Sequence, residues 1–262
     1  MKRSLTALIL LSFLIVYTAL GVRADKSNNT VKVYRYKRNE KMQIALTFDD
    51  GPHPIYTEKI LEILDKYNVK ATFFMVGENI LNYTDIAIKV KERGHEIGNH
   101  TQTHQSNLGE KRLMREIINC TEIIFNTLDY ETSIIRPPEG LILDSTLECC
   151  SLLEYSIILW NIDTRDWAQT PAREIYKNVT ENIDPGDIIL MHDYISRRSP
   201  TPEALELIIP KLLSDGYNFV TVSELIGDDR SDAVSSTIRS CPYCDEVTDK
   251  KEKRYNIKEL PH

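Results

Sequence analysis

The sequence predicts an α/β barrel of about seven parallel strands, and three observations lead there. Strand-like and helix-like segments alternate about seven times across residues 43–222. The strand-like runs, such as QIALTF at 43–48 and YSIILWNI at 155–162, are continuously apolar rather than alternating, as in parallel sheets covered on both faces. Acids, imidazoles and a guanidinium gather just past the strand ends, where βα folds carry their reactive groups. An open doubly wound sheet is the second choice. No glycine-rich phosphate loop and no G-x-x-x-x-G-K motif is present.

Taken in order, 43–48 reads as a buried strand that runs into Asp49-Asp50-Gly51-Pro52, a sharp turn. Across 57–68, Ile60, Leu61, Ile63, Leu64 and Tyr67 make the stripe of an amphipathic helix, with Thr57 as its N-cap. A strand follows at 71–76, then a helix at 85–93 that stops at Gly94. A short strand at 96–99 precedes a long helix at 111–128 and a strand at 133–136 closed by Pro137 and Pro138. A helix at 146–153, a strand at 155–162 and a helix at 172–182 come next. A strand at 187–191, a helix at 202–214 kinked at Pro210 and a last strand at 219–222 complete the pattern.

The flanks differ from this core. Residues 1–24 read as a signal peptide: Lys2 and Arg3, an apolar run from Leu5 to Leu20 short for a bilayer span, then Val22-Arg23-Ala24 with small residues at −3 and −1 of a cleavage site. An uncleaved anchor is the alternative. Residues 25–40 read as a lead-in, 41–227 as the folded domain and 228–262 as a polar, flexible tail. No second apolar run is long enough to span a membrane, so the expected location is outside the cell, at the wall or surface. Lys and Arg number 32 against 39 acids, a net charge of −7, which argues against a nucleic-acid partner. Five cysteines in a chain of 262 residues do not make a disulfide framework; Cys241-Pro-Tyr-Cys244 reads as a local disulfide or as nothing special. Of the Asn-x-Ser/Thr sequons at Asn28, Asn82, Asn99, Asn119 and Asn178, some would carry glycans in a secreted eukaryotic protein.

The chemistry concentrates at five strand ends. His100-Thr-Gln-Thr-His104 has the i, i+4 spacing that turns two imidazoles the same way on a helical turn. With one carboxylate of the Asp49-Asp50 pair, these make the three protein ligands of an open catalytic zinc site, and the second aspartate is then free to act as general base. Arg136 reads either as a surface arginine or as a guanidinium fork holding the base ionised. His192 ends a buried strand, so it is a structural histidine or a general acid for a leaving amine, tuned by Asp163 or Asp166. Trp167 is packing, or a wall on which a sugar ring stacks.

Thr47-Phe-Asp-Asp-Gly-Pro52 and His100-Thr-x-x-His104 together strongly resemble the polysaccharide deacetylases, carbohydrate esterase family 4 or NodB-homology domain. Three further stretches look like that family's remaining motifs in order: Arg136-Pro-Pro-Glu-Gly140, Asp163-Thr-Arg-Asp-Trp167 and Leu190-Met-His192. The resemblance covers about residues 42–226. It implies a distorted (β/α) barrel, one divalent metal ion (zinc, or cobalt), and removal of acetyl groups from an N-acetylated polysaccharide such as chitin or peptidoglycan glycan. It assigns Asp50, His100 and His104 to the metal, Asp49 as base, Arg136 to orient it, and His192 as acid tuned by Asp166, with Asp163 in reserve. Leu190 would line the pocket for the acetyl methyl group. Asn99 abuts the first histidine ligand, so burial should block a glycan there. Two positions depart: Asp193 follows the acid histidine where many members have Pro, and, of more consequence, Glu139 stands where the family usually has an aromatic residue whose backbone N–H helps hold the oxyanion. The N–H is kept, but a carboxylate beside the metal adds negative charge where the oxyanion develops. A non-catalytic wall-glycan binder keeping fold and metal is therefore the alternative reading, and a hydrolase of a small amide a third.

Overall fold

The computed structural model describes residues 30–106, 108–195 and 198–228. The predicted signal peptide, Asn28, Cys241, Cys244 and nearly all of the predicted tail lie outside the described residues. From Val31 onward the described chain is one compact unit.

Its strands are β1 (Val33–Tyr34), β2 (Gln43–Asp49), β3 (Thr72–Met75), β4 (Glu96–Asn99), β5 (Ile134–Ile135), β6 (Ser156–Ile158), β7 (Ile162–Asp163), β8 (Ile188–His192) and β9 (Asn218–Val220). The helices are α1 (Tyr56–Tyr67), α2 (Gly77–Asn82), α3 (Thr84–Glu92), α4 (Glu110–Leu128), α5 (Asp144–Leu152), α6 (Ala172–Asn182), α7 (Thr201–Ser214) and α8 (Val222–Ile226). The strands pair in parallel in the order β1-β6-β5-β4-β3-β2-β8-β7, and β9 pairs with the N-terminal half of β2. The sheet curls into a half-barrel with the helices around it, an α/β barrel as the sequence predicts.

Both faces of the strands are buried, which is why their sequences do not alternate. Ile44, Leu46 and Phe48 of β2 and Phe73 and Met75 of β3 join the large outer core under α1, α4, α6 and α7. The intervening Ala45 and Phe74 face inward, where Ile134, Ile158, Ile188 and the α8 residues Val222, Leu225 and Ile226 fill the barrel with a second apolar cluster. Gly98 on β4 leaves room for Phe74, since a Cβ there would lie 2.4 Å from that ring. This interior layer is the floor on which the site is built.

Nine strands appear where about seven are predicted, for two local reasons. The run at 155–162 divides because Asn161 turns its side chain into the ladder: Nδ2 donates to Asp187 Oδ1 at 2.7 Å and Oδ1 accepts from the Ile188 amide at 3.0 Å. Within the predicted lead-in, Val33–Tyr34 pairs with β6, the Lys37 amide donates to Gly186 O at 2.7 Å, and Arg38 forms an ion pair with the buried Asp187. Two short helices, α2 and α8, are not foreseen. Thr57 is not a cap but the second residue of α1; its hydroxyl accepts from the His53 amide at 2.7 Å. α7 runs unbroken through Pro210. Asn99 is fully buried, its Nδ2 donating to Ile117 O and Thr121 Oγ1, both at 2.9 Å, so the folded chain offers no glycan attachment there. Cys120, Cys149 and Cys150 are buried, and burial pushes the thiols of Cys120 and Cys150 up to about 12.

Candidate active site

The site grows from the carboxyl ends of β2, β4, β5 and β8. β2 and β8 run side by side with Asp49 opposite His192, which sets an acid and an imidazole on the same rim of adjacent strands. β4 ends at Asn99, so His100 leaves the sheet next to the end of β3, its amide donating to Met75 O at 3.0 Å. β5 delivers Arg136, whose amide donates to Asn99 O at 3.0 Å.

Three side chains from two separate parts of the sequence converge there. One ligand atom each from Asp50, His100 and His104 lies within 4.8 Å of the others. Asp50 Oδ1 is 3.3 Å from His100 Nε2 and 3.1 Å from His104 Nε2. The two imidazoles do not share a helical turn, contrary to what their spacing suggests. Residues 100–106 are irregular, and Thr101 (φ 66°) and His104 (φ 56°) take left-handed conformations that fold the second ring back beside the first, centroids 4.9 Å apart. Asp50 is left-handed too (φ 76°), which turns its carboxylate out of the line of β2.

The donor set fits a divalent cation. The Arg136 carbonyl, 2.6 Å from His100 Nδ1, only accepts, so Nδ1 carries the proton and the Nε2 lone pair faces the cluster. Asp50 Oδ1 is buried with no hydrogen-bond partner, an acceptor atom left to something the side chains do not supply. Two imidazole nitrogens and one carboxylate oxygen make the three-ligand set of an open site. The electrostatics agree. Burial opposes ionisation of Asp50, but His100, His104 and His192 outweigh it and lower its pKa. Burial likewise opposes charge on His100, yet Asp49 and Asp50 raise it, while burial and the neighbouring His100 lower His104.

Asp49 is almost completely buried beside this cluster. Its Oδ1 accepts from Arg136 Nη1 at 2.6 Å, and its Oδ2 lies 3.8 Å from His100 Nε2. The guanidinium is not a two-pronged fork on the carboxylate. Nη1 also reaches Thr47 Oγ1 at 2.8 Å, Nε donates to Ile158 O at 3.2 Å, and Nη2 donates to Leu159 O at 3.1 Å. Fully buried, Arg136 stacks 4.2 Å over the Phe74 ring and 5.6 Å from Trp160, so it is no surface residue.

His192 is paired through Nδ1 with Asp166 Oδ1 at 2.8 Å. The buried Asp166 also accepts from the His192 amide at 2.8 Å, the Trp167 amide at 2.9 Å and Thr201 Oγ1 at 2.6 Å. Burial disfavours a charged ring, but Asp166, with Asp49 and Asp50 behind it, pushes His192 up to about 9. Asp163 is elsewhere: its Oδ1 accepts from the Arg165 amide at 2.8 Å and its carbonyl from Asn178 Nδ2 at 2.8 Å. Leu190, two residues before His192 and in register with Thr47, is buried on the same face below the rim. Trp167 is 52% exposed with the Arg165 guanidinium 5.8 Å from its ring, so it is not core packing. Glu139 lies beyond His104: its Oε1 accepts from Ser106 Oγ at 3.0 Å, and its charge is felt by His104. It too is left-handed (φ 57°). Sequence reasoning missed Thr201 and Asn79, whose Nδ2 donates to Asp50 O at 2.7 Å, and gave Thr47, the first residue of its motif, no role. Nothing in the local sequence of Thr201 and Asn79 marks them, because their partners are 35 and 29 residues away.

A parallel βα barrel with an acid–imidazole cluster at its carboxyl rim is the arrangement of a barrel hydrolase. The family model described as polysaccharide deacetylase matches residues 36–158. A peptidoglycan-N-acetylglucosamine deacetylase of Bacillus cereus is 41% identical over 192 residues, 72% of this chain and 89% of that relative. Among solved structures, a peptidoglycan N-acetylglucosamine deacetylase in complex with 4-naphthalen-1-yl-N-oxidanyl-benzamide superposes with a TM-score of 0.71 at 36% identity, covering 74% of this chain and 92% of that one. A family 4 acetyl xylan esterase from Clostridium thermocellum, in complex with a cobalt ion, gives 0.66 at 34% identity, covering 71% and 90%. The chain belongs to the polysaccharide deacetylase family.

Proposed function

We propose that the protein removes N-acetyl groups from a GlcNAc-containing polysaccharide of a cell wall or coat, chitin-like or peptidoglycan, and works outside the cell. The carrying observation is the convergence of Asp50 Oδ1 with His100 and His104 beside an aspartate that a buried arginine holds. The names of the relatives support the substrate class and the location.

In this reading Asp50, His100 and His104 hold one divalent cation, zinc or cobalt, which would supply Lewis acidity toward the acetyl carbonyl and an attacking water. Asp49 is the base. Its Oδ1 is committed to Arg136, so Oδ2 takes the proton from that water. Arg136 holds the carboxylate in place, with Thr47 and two carbonyls holding the guanidinium in turn. Leu190 packs against the acetyl methyl group, and the backbone N–H of Glu139 donates to the oxygen that gains charge. His192, with Nδ1 held by Asp166, presents Nε2 and gives its proton to the departing sugar amine, leaving acetate and a free amine. Trp167, half exposed at the rim, offers a face to a neighbouring sugar ring.

Glu139 favours a second reading, a glycan binder without turnover, because its carboxylate lies close enough to His104 to act on it. Acetate release from chitin oligomers, peptidoglycan and acetylxylan, with zinc or cobalt added, separates the two. Release that is lost in Asp49→Asn supports the first. Retained glycan binding with no release on any of these polymers supports the second.

A further inference from the structure

The turn that carries Asp49 and Asp50 is tied to the strand end that carries His192 by a buried carboxyl group with no part in the reaction above. Asp193 follows His192 and is fully buried. Its amide donates to Asp49 O at 3.2 Å. Its Oδ2 accepts from Thr57 Oγ1 at 2.6 Å, and the same hydroxyl accepts from the His53 amide at 2.7 Å. Its Oδ1 is buried with no hydrogen-bond partner. The carboxylate lies directly against Gly51: a Cβ built there would sit 2.1 Å from one oxygen and 2.3 Å from the other. A buried carboxyl group with one oxygen unsatisfied costs stability, so its presence calls for a compensating role.

That role is visible in what the turn needs. Asp50 is held in a left-handed conformation, which is strained and persists only where its surroundings over-determine it. From one side, Asn79 Nδ2 grips Asp50 O at 2.7 Å and the Val76 amide grips Gly51 O at 2.9 Å. From the other side the contacts are those of Asp193: its amide on Asp49, its carboxylate on Gly51, and Thr57 as the bridge to His53. We propose that Asp193 is a positioning residue, a clamp that registers the Asp49-Asp50 turn against His192 so that base, cation ligand and acid hold a fixed spacing. The kinetic consequence rests on the functional reading above; the clamp itself does not.

The test uses the full chain and three variants: Asp193→Ala, which removes the acceptor; Thr57→Val, which keeps the shape and removes the bridge; and Asp193→Asn, which keeps an acceptor for Thr57. Three quantities are read: site-resolved amide exchange at His53 and Asp193, affinity for zinc by titration, and kcat and KM for acetate release. Asp193→Ala and Thr57→Val are expected to speed exchange at His53, weaken zinc binding and lower kcat by about 10-fold or more with a smaller change in KM, since misplacement by about 1 Å costs up to about 100-fold. Asp193→Asn is expected to stay near wild type in all three. Should Asp193→Ala not fold, Thr57→Val decides. Unchanged exchange and zinc affinity in folded Asp193→Ala or in Thr57→Val would overturn the clamp, as would Asp193→Asn behaving like Asp193→Ala. A wild type that releases no acetate while exchange and zinc affinity respond as expected would sink the functional reading and leave the clamp standing.

Discussion

His192 owes its proton to Asp166, so the pair makes a sharp prediction at the scale of single residues. Burial alone would lower the ring; the Asp166 carboxylate overrides it and pushes it up to about 9. In its proposed role as general acid His192 must be protonated, so activity should fall as pH rises through the folded pKa. In Asp166→Asn that alkaline limb should move to lower pH, with kcat reduced even at neutral pH; a pH–rate profile of both proteins checks it. Arg136 makes a second one. Lysine has one ammonium where the guanidinium serves Asp49, Thr47 and two carbonyls at once. Arg136→Lys keeps the charge but leaves buried acceptors without donors, so it should cost about 1–3 kcal/mol in a denaturant titration. At this scale the site was legible as residue types. Asp49, Asp50, Arg136 and His192 stand out because they close apolar runs, and His100 and His104 because of their i, i+4 spacing. What the residues hide is their geometry. The spacing of His100 and His104 suggests a helical turn, while left-handed Thr101 and His104 do the work instead. The choice of Asp166 over Asp163 as the neighbour of His192 depends on Thr201 and on the short turn after β7, neither of which a local pattern encodes.

At the scale of elements, the segment before β2 is the instructive one. Its residues are polar and basic, so it reads as a lead-in, yet it is pinned to the barrel through Gly186, just ahead of β8. That glycine has φ 96°, and a Cβ on it would lie 2.1 Å from Lys37 O. Gly186→Ala meets both a disfavoured backbone and a clash with main chain that has nowhere to go. It should destabilise by about 2–4 kcal/mol, read from the urea midpoint. Long periodic helices such as α4 and α6, and strands such as β2 and β8, were legible because their patterns exceed one turn or one pleat repeat. α2 was not: six residues give no period, and Gly77 and Asn79 read as loop. β1 is two residues long, and only its partner makes it a strand.

At the scale of the whole molecule, pH acts on stability and, in the proposed reading, so does cation loading. His95 is buried, accepts from the Ala71 amide at 3.3 Å, and has a buried Nε2 with no partner. Burial chiefly, with Lys70 and Arg93 nearby, lowers its pKa from 6.5 to about 4. The unfolded chain therefore takes up the proton first. The contribution is present above 6.5 and is lost as pH falls toward about 4, up to about 3 kcal/mol. His95→Gln should flatten that part of the stability–pH curve measured by urea unfolding. A cation that binds only the folded chain adds about 4 kcal/mol at 1,000 times its Kd. Zinc should accordingly raise Tm, chelation should reverse the rise, and His104→Ala should abolish the response. Arg136 touches β2 through Asp49 and Thr47, and the end of β6 through two carbonyls, while standing on the aromatic floor. A bare guanidinium enters an apolar interior only at a cost of several kcal/mol, so neither half of the half-barrel gains by docking without the other. Assembly is thereby made all-or-none across the sheet, and a chain that has completed it has at the same moment fixed the Asp49 carboxylate in place.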